Sequence, residues 1–173
     1  MSKVCIITGG TSGIGLATAR AMHDAGYHVY ELSRRENGTD CAVHIQADVT
    51  KEDTLRAAVD FVLAQEDHID VVINNAGFGI SGAVEFTDTA DAIRQLDVNF
   101  FGMVRMNHVV LPTLRKQGYG RIVNLSSVAG SIPIPFQTYY SASKAAINSY
   151  TMATANEVRP FGVQVCCVQP GDI

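Results

Sequence analysis

Short apolar runs alternate with longer helical patterns along this chain, and the alternation constrains its fold more than any other feature. The runs are rich in β-branched residues and apolar throughout, which is typical of strands buried on both faces of a parallel sheet. Because parallel strands are joined by right-handed crossovers, the intervening helices are expected to cover both faces. The pattern therefore predicts an α/β protein with a doubly wound parallel sheet.

The pattern divides the chain into six strands and four helices. The predicted strands cover residues 4–8, 28–33, 41–47, 70–74, 121–126 and 163–168, and the predicted helices cover 14–25, 51–66, 90–117 and 139–159. Pro112 predicts a kink or a break in the third helix. We find no internal repeat, low-complexity tract or linker. We therefore expect residues 1–173 to form a single Rossmann-type domain with the strand order 3-2-1-4-5-6.

Composition and charge narrow the classes of function. The formal net charge is −4, with 13 Lys and Arg against 17 Asp and Glu, which argues against a nucleic-acid partner. Charged or polar residues interrupt each apolar run before it reaches the length of a membrane span, so no membrane partner is expected. The first residues run directly into a glycine-rich turn without a signal peptide, which favours a cytoplasmic protein.

Cysteine and histidine give no sign of a metal site, and none is predicted. The five histidines are scattered, and none forms a pair at metal-ligand spacing. The cysteines lie singly or within apolar runs and lack a CxxC pair, which predicts reduced cysteines in the core. They are Cys5, Cys41, Cys166 and Cys167.

A glycine-rich turn joins the first strand to the first helix. Glycine lets the backbone turn sharply and lets a pyrophosphate approach without meeting a Cβ atom. The helix that follows offers free N–H groups and the positive end of its dipole to that anion. The spacing is GxxxGxG, and Leu16 and Ala17 stand where a P-loop needs Lys and Ser or Thr. We predict a cofactor-phosphate site formed by Gly9, Thr11, Ser12, Gly13, Ile14 and Gly15.

The end of the second strand predicts which dinucleotide binds. NAD-binding sites usually carry an acid there, which accepts hydrogen bonds from the ribose 2′-hydroxyl. This chain has Ser33, Arg34 and Arg35 instead, and Glu31 lies earlier, within the strand. Arginine can hold a 2′-phosphate through two parallel hydrogen bonds, whereas a carboxylate repels it. NADP(H) is therefore predicted in preference to NAD(H); the alternative is that both arginines are solvated loop charges.

Two further strand ends contribute candidate cofactor residues. Ligands in doubly wound sheets bind outside the carboxyl ends of the strands, where this chain has Asp48 and Val49 after the third strand. Asp48 either accepts from an adenine amino group or caps the next helix, and the sequence favours neither. Asn75, Ala76 and Gly77 are predicted to form a floor of small residues beneath the cofactor, with the Asn75 amide tying adjacent strands.

A tyrosine and a lysine in the last predicted helix are candidates for the chemistry. Tyr140 and Lys144 are four residues apart and share one face of the helix. A phenol is a poor proton donor at neutral pH, and a nearby ammonium stabilises its phenolate. Tyr139 precedes Tyr140 but has the uncharged Ser143 four residues on, so Tyr140 is the better candidate.

The tyrosine–lysine spacing alone is a weak signal, and the order of other residues makes it specific. Ser127 lies thirteen residues before Tyr140, just past the fifth strand, and this spacing selects it over Ser126. Asn99 lies on the preceding long helix. Pro170 and Gly171 follow the sixth strand.

Taken together, these motifs make the chain resemble the short-chain dehydrogenase/reductase family across essentially its whole length. The matching segments are residues 8–15, 74–77, Asn99, Ser127, 140–144, Pro170 and Gly171. The resemblance implies hydride transfer between the nicotinamide and the carbon of a small or hydrophobic carbonyl or alcohol substrate. It implies that Pro170 and Gly171 place backbone against the nicotinamide carboxamide. A homodimer or homotetramer is also implied.

The resemblance also implies a role for each candidate catalytic residue. Tyr140 is the general acid in carbonyl reduction and the base in alcohol oxidation. Lys144 supports its phenolate and hydrogen-bonds the nicotinamide ribose. Ser127 polarises the substrate oxygen. Asn99 holds a water that links Lys144 to solvent.

Members of this family normally continue past the Pro-Gly motif with a lid, a helix and a seventh strand. The resemblance therefore implies that this chain lacks the substrate-binding end. The alternative to an active oxidoreductase is a truncated fragment that binds nucleotide, or only dimerises, without turnover. The apolar residues at 78–80 and 132–136 either wall a substrate pocket or pack elsewhere, and the sequence favours neither.

Overall fold

Six parallel strands form where the apolar runs predict them. The computed structural model of the chain describes residues 2–171, and positions 1, 172 and 173 of the predicted domain lie outside the described residues. The strands run in the order β3-β2-β1-β4-β5-β6, and every neighbouring pair is parallel, which confirms the doubly wound, Rossmann-type sheet. They are β1 (Lys3–Thr8), β2 (Tyr27–Ser33), β3 (Val43–Gln46), β4 (Val71–Asn74), β5 (Gly120–Leu125) and β6 (Val163–Val168).

Helices connect the strands and cover both faces of the sheet. The α-helices are α1 (Gly13–Asp24), α2 (Glu52–Glu66), α3 (Thr89–Leu96), α4 (Gly102–Gln117) and α5 (Thr138–Val158). Alternate residues of a strand point to opposite faces. Val4 and Ile6 of β1 pack in one core with residues of α2 and α4, whereas Cys5 and Ile7 pack in a second core with residues of α1. Burial of each such Val or Ile contributes about 1.5–3 kcal/mol.

The long helix predicted at 90–117 is two helices, and the interruption does not lie at Pro112. A π-helical turn, Asp97–Phe101, separates α3 from α4. α4 continues through Pro112 to its end, so the break predicted at that proline is wrong. Pro112 is exposed, and a carbonyl that loses its N–H partner on the exposed side of a helix can bond to water. The π-helical turn is instead held by Asn99, which bonds to a neighbouring loop.

Two smaller expectations are also corrected. β3 is shorter than the predicted run at 41–47, because Cys41 and its neighbour lie in a turn before the strand. All four cysteines are free, but only Cys5 and Cys41 are buried; Cys166 is exposed and Cys167 is half-buried on β6. Burial raises the pKa of the Cys5 thiol to about 12, so this thiol stays protonated.

Among residues 2–171, no helix has the length and apolar character that crossing a membrane requires.

Candidate active site

A cleft of about 1220 Å³ follows the carboxyl edge of the sheet. All but one of the residues predicted for the site line it; the exception is Asn99, which is 1% exposed. Doubly wound sheets bind ligands at this edge because the strand ends and helix N-termini face it together. The lining residues that the sequence predicted are Gly9, Thr11, Ser12, Gly13, Ile14, Gly15, Ser33, Arg34, Asp48, Val49, Asn75, Ala76, Gly77, Ser127, Tyr140, Lys144, Pro170 and Gly171.

The glycine-rich turn has a shape that only glycine allows. Gly9 and Gly13 have φ angles of +68° and +54°, which favour glycine. A Cβ atom on Gly15 would lie 2.1 Å from Gly9 O, whereas the Cβ position of Gly13 has no atom within 4 Å and is open. The first turn of α1 carries no side-chain cap and no acidic residue. Its N–H groups are therefore free to bind an anion.

Asn75 ties the ends of β1 and β4 together. Its Nδ2 donates to Thr8 O at 3.1 Å and to Gly9 O at 2.9 Å. Thr8 Oγ1 accepts from the backbone N–H groups of Asn75 and Ala76, each at 3.1 Å. These four hydrogen bonds fix the small residues after β4 against the glycine-rich turn.

Asp48 bends the chain after β3 and does not cap α2. Its Oδ1 accepts from Thr50 N at 2.9 Å and from Thr50 Oγ1 at 2.8 Å, while Lys51 precedes α2 without a side-chain cap. The capping interpretation is therefore wrong. Burial opposes ionisation of Asp48, but the Thr50 bonds and the charges of Arg34 and Lys51 outweigh it and hold the pKa of this carboxyl below its ordinary value. An anionic Asp48 thus lines the cleft near Arg34.

Lys144 projects from α5 and is only 6% exposed. Its Nζ donates to Leu125 O at 2.7 Å and lies 5.6 Å from the centre of the Tyr140 ring. An ammonium has three donors, so two remain after the bond to Leu125. Burial lowers the pKa of Lys144 to about 8, which leaves it mostly charged near neutral pH. The cleft therefore holds a cation beside the Tyr140 phenol.

The two adjacent serines after β5 are used differently. Ser126 Oγ donates to Lys144 O at 3.0 Å, so its proton is used within the fold. Ser127 Oγ accepts from Ala129 N at 3.1 Å. Accepting leaves the Ser127 hydroxyl proton free to donate into the cleft.

Asn99 holds two elements of the site in place. Its Oδ1 accepts from Phe78 N at 2.9 Å, and its Nδ2 donates to Phe78 O at 2.9 Å and to Ser143 Oγ at 3.2 Å. Both amide protons are used, so the side chain is a positioning group for the loop after β4 and for α5. A water held by Asn99, as the resemblance implies, would therefore donate to one of its oxygen atoms.

A family model described as short chain dehydrogenase matches residues 3–173. The chain belongs to the short-chain dehydrogenase family. The enzymes of this family are oxidoreductases that bind NAD(P) and act on CH–OH or C=O groups. The cleft, with its glycine-rich turn and its tyrosine–lysine pair, lies at the edge of the sheet where doubly wound proteins bind ligands and is the candidate for that site.

The chain is similar to reductases of this family, and two similar structures hold different nucleotides. The 3-ketodihydrosphingosine reductase of Bacteroides thetaiotaomicron is 43% identical over 171 residues, which are 98% of this chain and 64% of that protein. The chain thus spans less than two thirds of that relative. The structure of ElxO with NADP bound matches with a TM-score of 0.94 and 28% identity over 99% of this chain and 74% of that one. The 3-ketoacyl-(acyl-carrier-protein) reductase from Brucella melitensis, complexed with NADH, matches with a TM-score of 0.93 and 29% identity over 98% and 75%.

Several residues that line this cleft were not predicted. Phe78, Gly79 and Ile134, whose place the sequence left open, line it. Most of the missed residues directly precede or follow a predicted one, which is the signal that could have found them. Gln137, in the turn before α5, carries no such signal. The missed lining residues are Leu32, Ala47, Val98, Leu125, Val128 and Gln137.

Burial of Lys144 makes the stability of the chain depend on pH. Because the pKa of Lys144 falls from 10.5 to about 8 on folding, the unfolded chain binds more protons between these values, and stability rises with pH across this window. The free-energy cost of burying the charged Lys144 ammonium is fully present below about pH 8. We expect Lys144→Met to remove it, so the gain in unfolding free energy should be about 3 kcal/mol larger near pH 7 than above pH 10.

Denaturant unfolding of both proteins across this pH range measures the difference. Lys116→Met, at an exposed lysine near the end of α4, is the matched control and should show no such window. An equal gain at all pH values contradicts the placement of the Lys144 ammonium in a desolvated site.

Proposed function

We propose that this chain is the nucleotide-binding and catalytic part of an NADP(H)-dependent oxidoreductase that interconverts an alcohol and a carbonyl compound. The observation that carries the proposal is that Arg34 and the Tyr140–Lys144 pair line one cleft with the glycine-rich turn. Arg34 and Arg35 are exposed at the end of β2. Among residues 2–171, neither guanidinium forms a salt bridge, so both are available to a phosphate.

The residues of the cleft fit NADP(H). The open Cβ position of Gly13 and the uncapped start of α1 suit a pyrophosphate. Arg34 suits the 2′-phosphate, and the Asp48 carboxylate suits the adenine amino group. Backbone at Pro170 and Gly171, which also lines the cleft, suits the nicotinamide carboxamide.

The side chains near Lys144 support the acid–base chemistry. When bound, the reduced nucleotide would supply hydride to the substrate carbon in reduction, and the oxidised nucleotide would accept it in oxidation. In reduction, Tyr140 Oη gives its proton to the substrate oxygen, and in oxidation it takes that proton back. The Lys144 ammonium stabilises the phenolate, and the free Ser127 hydroxyl proton donates to the substrate oxygen. Asn99 keeps α5 and the loop after β4 in register for these steps.

We further propose that residues 1–173 form one nucleotide-binding domain and that the protein assembles as a homodimer or homotetramer in the cytoplasm. Its small-molecule substrate is a carbonyl or alcohol compound. Exposed apolar side chains on α3 and α5, such as Ile93 and Met152 at 64% and 65% exposure, support self-association. Free cysteines support a reducing compartment.

Direct titration tests the proposal. The chain has no Trp, so the fluorescence of the reduced nicotinamide serves as the signal for NADPH and NADH binding. We expect NADPH to bind at least about tenfold more tightly, as one charge-assisted phosphate contact provides. A panel of carbonyl compounds is then tested for NADPH oxidation. Equal or tighter NADH binding contradicts the cofactor assignment, and binding without turnover favours the fragment that only binds nucleotide.

A further inference from the structure

Glu31 is a fully buried acid that takes no part in the proposed chemistry. It lies in β2, and its Oε1 accepts from the backbone N–H of Gly10 in the glycine-rich turn at 3.1 Å. A Cβ atom on Gly10 would lie 2.6 Å from Glu31 Cγ, so the turn packs directly on this side chain. Burial of an ionised carboxylate costs several kcal/mol unless it is paired. Glu31 therefore needs a partner that offsets the cost of its burial.

That partner is His44, which stands opposite Glu31 in the register of β2 and β3. His44 Nδ1 lies 2.7 Å from Glu31 Oε2, and His44 Nε2 lies 2.9 Å from Arg35 O. A carbonyl oxygen only accepts, so Nε2 carries a proton and donates to it. A second proton lies between Nδ1 and Oε2, because two lone pairs at that distance repel. Whichever atom holds it, the pair has no net charge.

The same face of β3 fastens the arginine segment, which we define as Arg34 and Arg35. Gln46, two residues after His44, donates from Nε2 to Arg34 O at 3.2 Å. Gly38 closes over His44, since a Cβ atom there would lie 2.3 Å from His44 Cβ. A continuous chain of hydrogen bonds thus runs from Gly10 through Glu31 and His44 to the backbone of the arginine segment.

We propose that Glu31 and His44 form a positioning pair that sets the arginine segment for the 2′-phosphate of NADP(H). This inference rests on the proposed NADP(H) function. The pair joins the turn that suits the pyrophosphate to the segment that suits the 2′-phosphate, so both anion sites keep a fixed separation. His44 and Glu31 are thus determinants of dinucleotide specificity without touching the ligand.

Three substitutions at His44 separate the two hydrogen bonds of the imidazole. Glutamine places its amide nitrogen near the position of Nε2 and keeps a donor for Arg35 O. Asparagine places its amide nitrogen near Nδ1, keeps the contact with Glu31 and cannot reach Arg35. Alanine removes both. We expect His44→Ala and His44→Asn to weaken NADPH binding about tenfold and to leave NADH binding within about twofold. His44→Gln, which keeps the donor to Arg35 O but not the contact with Glu31, should retain part of the NADPH preference.

The measurement is the dissociation constant of NADPH, NADH and 2′,5′-ADP for the 173-residue chain and each variant, with thermal unfolding as a check of folding. His108→Ala, at an exposed histidine of α4, is the matched control and should change neither affinity. If His44→Ala weakens NADPH and NADH binding equally, His44 has a merely structural role and the inference is overturned. The inference is also overturned if His44→Ala changes neither affinity. Should His44→Ala not fold, the contrast between His44→Asn and His44→Gln decides, and equal NADPH preference in the two overturns it. If the wild-type chain binds NADH more tightly than NADPH, the proposed cofactor is wrong. That result is distinct from a failure of the inference about His44, which concerns only the variants.

Discussion

Tyr140→Phe should lower NADPH-dependent carbonyl reduction by the chain about 10²–10⁴-fold, the range that general acid catalysis contributes. The substitution removes one oxygen and keeps the ring, which lies 5.6 Å from Lys144 Nζ. Lys144 keeps its bond to Leu125 O, so the cation stays in place. What is lost is the proton that the substrate oxygen receives as the carbon gains hydride. The NADPH dissociation constant should therefore change by no more than about twofold.

Tyr139→Phe is the matched control for this experiment. It removes the same oxygen from the adjacent residue of α5, which has no lysine four residues on, and should leave the rate unchanged. Both variants are compared on a substrate that the wild-type chain reduces, by NADPH oxidation and by NADPH titration. Turnover retained in Tyr140→Phe, or an equal loss in both variants, contradicts the assignment of Tyr140 as the proton donor.

The fold was predictable because each structural signal is local. Strands that are buried on both faces must be apolar throughout, and helices that cover them must carry an apolar stripe, so the alternation determines the architecture. The glycine-rich turn was predictable for a similar reason, because Gly15 can carry no Cβ atom so close to Gly9 O. The break at the π-helical turn was not predictable, since it depends on the bonds between Asn99 and Phe78, twenty-one residues apart in sequence.

The candidate cleft was predictable where its residues follow strand ends, and not where they meet across strands. Parallel strands place their carboxyl ends at one edge, so Arg34, Asp48 and Asn75 could be grouped from sequence alone. The pairing of Glu31 with His44 depends on the register of β2 and β3, which no local pattern specifies. For the same reason Asp48 could not be separated from a helix cap until its bonds to Thr50 were known.

Arg34→Asp should weaken NADPH binding about 100-fold, because it removes a charge-assisted contact to the 2′-phosphate and puts a repelling charge in its place. The new carboxylate also lies near Asp48, whose carboxyl is influenced by the charge of Arg34. NADH has no 2′-phosphate, so its affinity should change by no more than about threefold. Titration of both nucleotides at one fixed salt concentration measures the two changes, since surface electrostatics weaken with salt.

Arg121→Asp supplies the matched control, because it makes the same charge change at the start of β5, away from the carboxyl edge of the sheet. It should leave the ratio of the two affinities unchanged. Equal weakening of NADPH and NADH by Arg34→Asp means that the arginines are solvated loop charges.

A double-substituted chain, Arg34→Asp with His44→Ala, shows whether the positioning pair acts through Arg34. If His44 acts by holding the arginine segment, it should have little left to change once Arg34 is lost, and the two effects should not add.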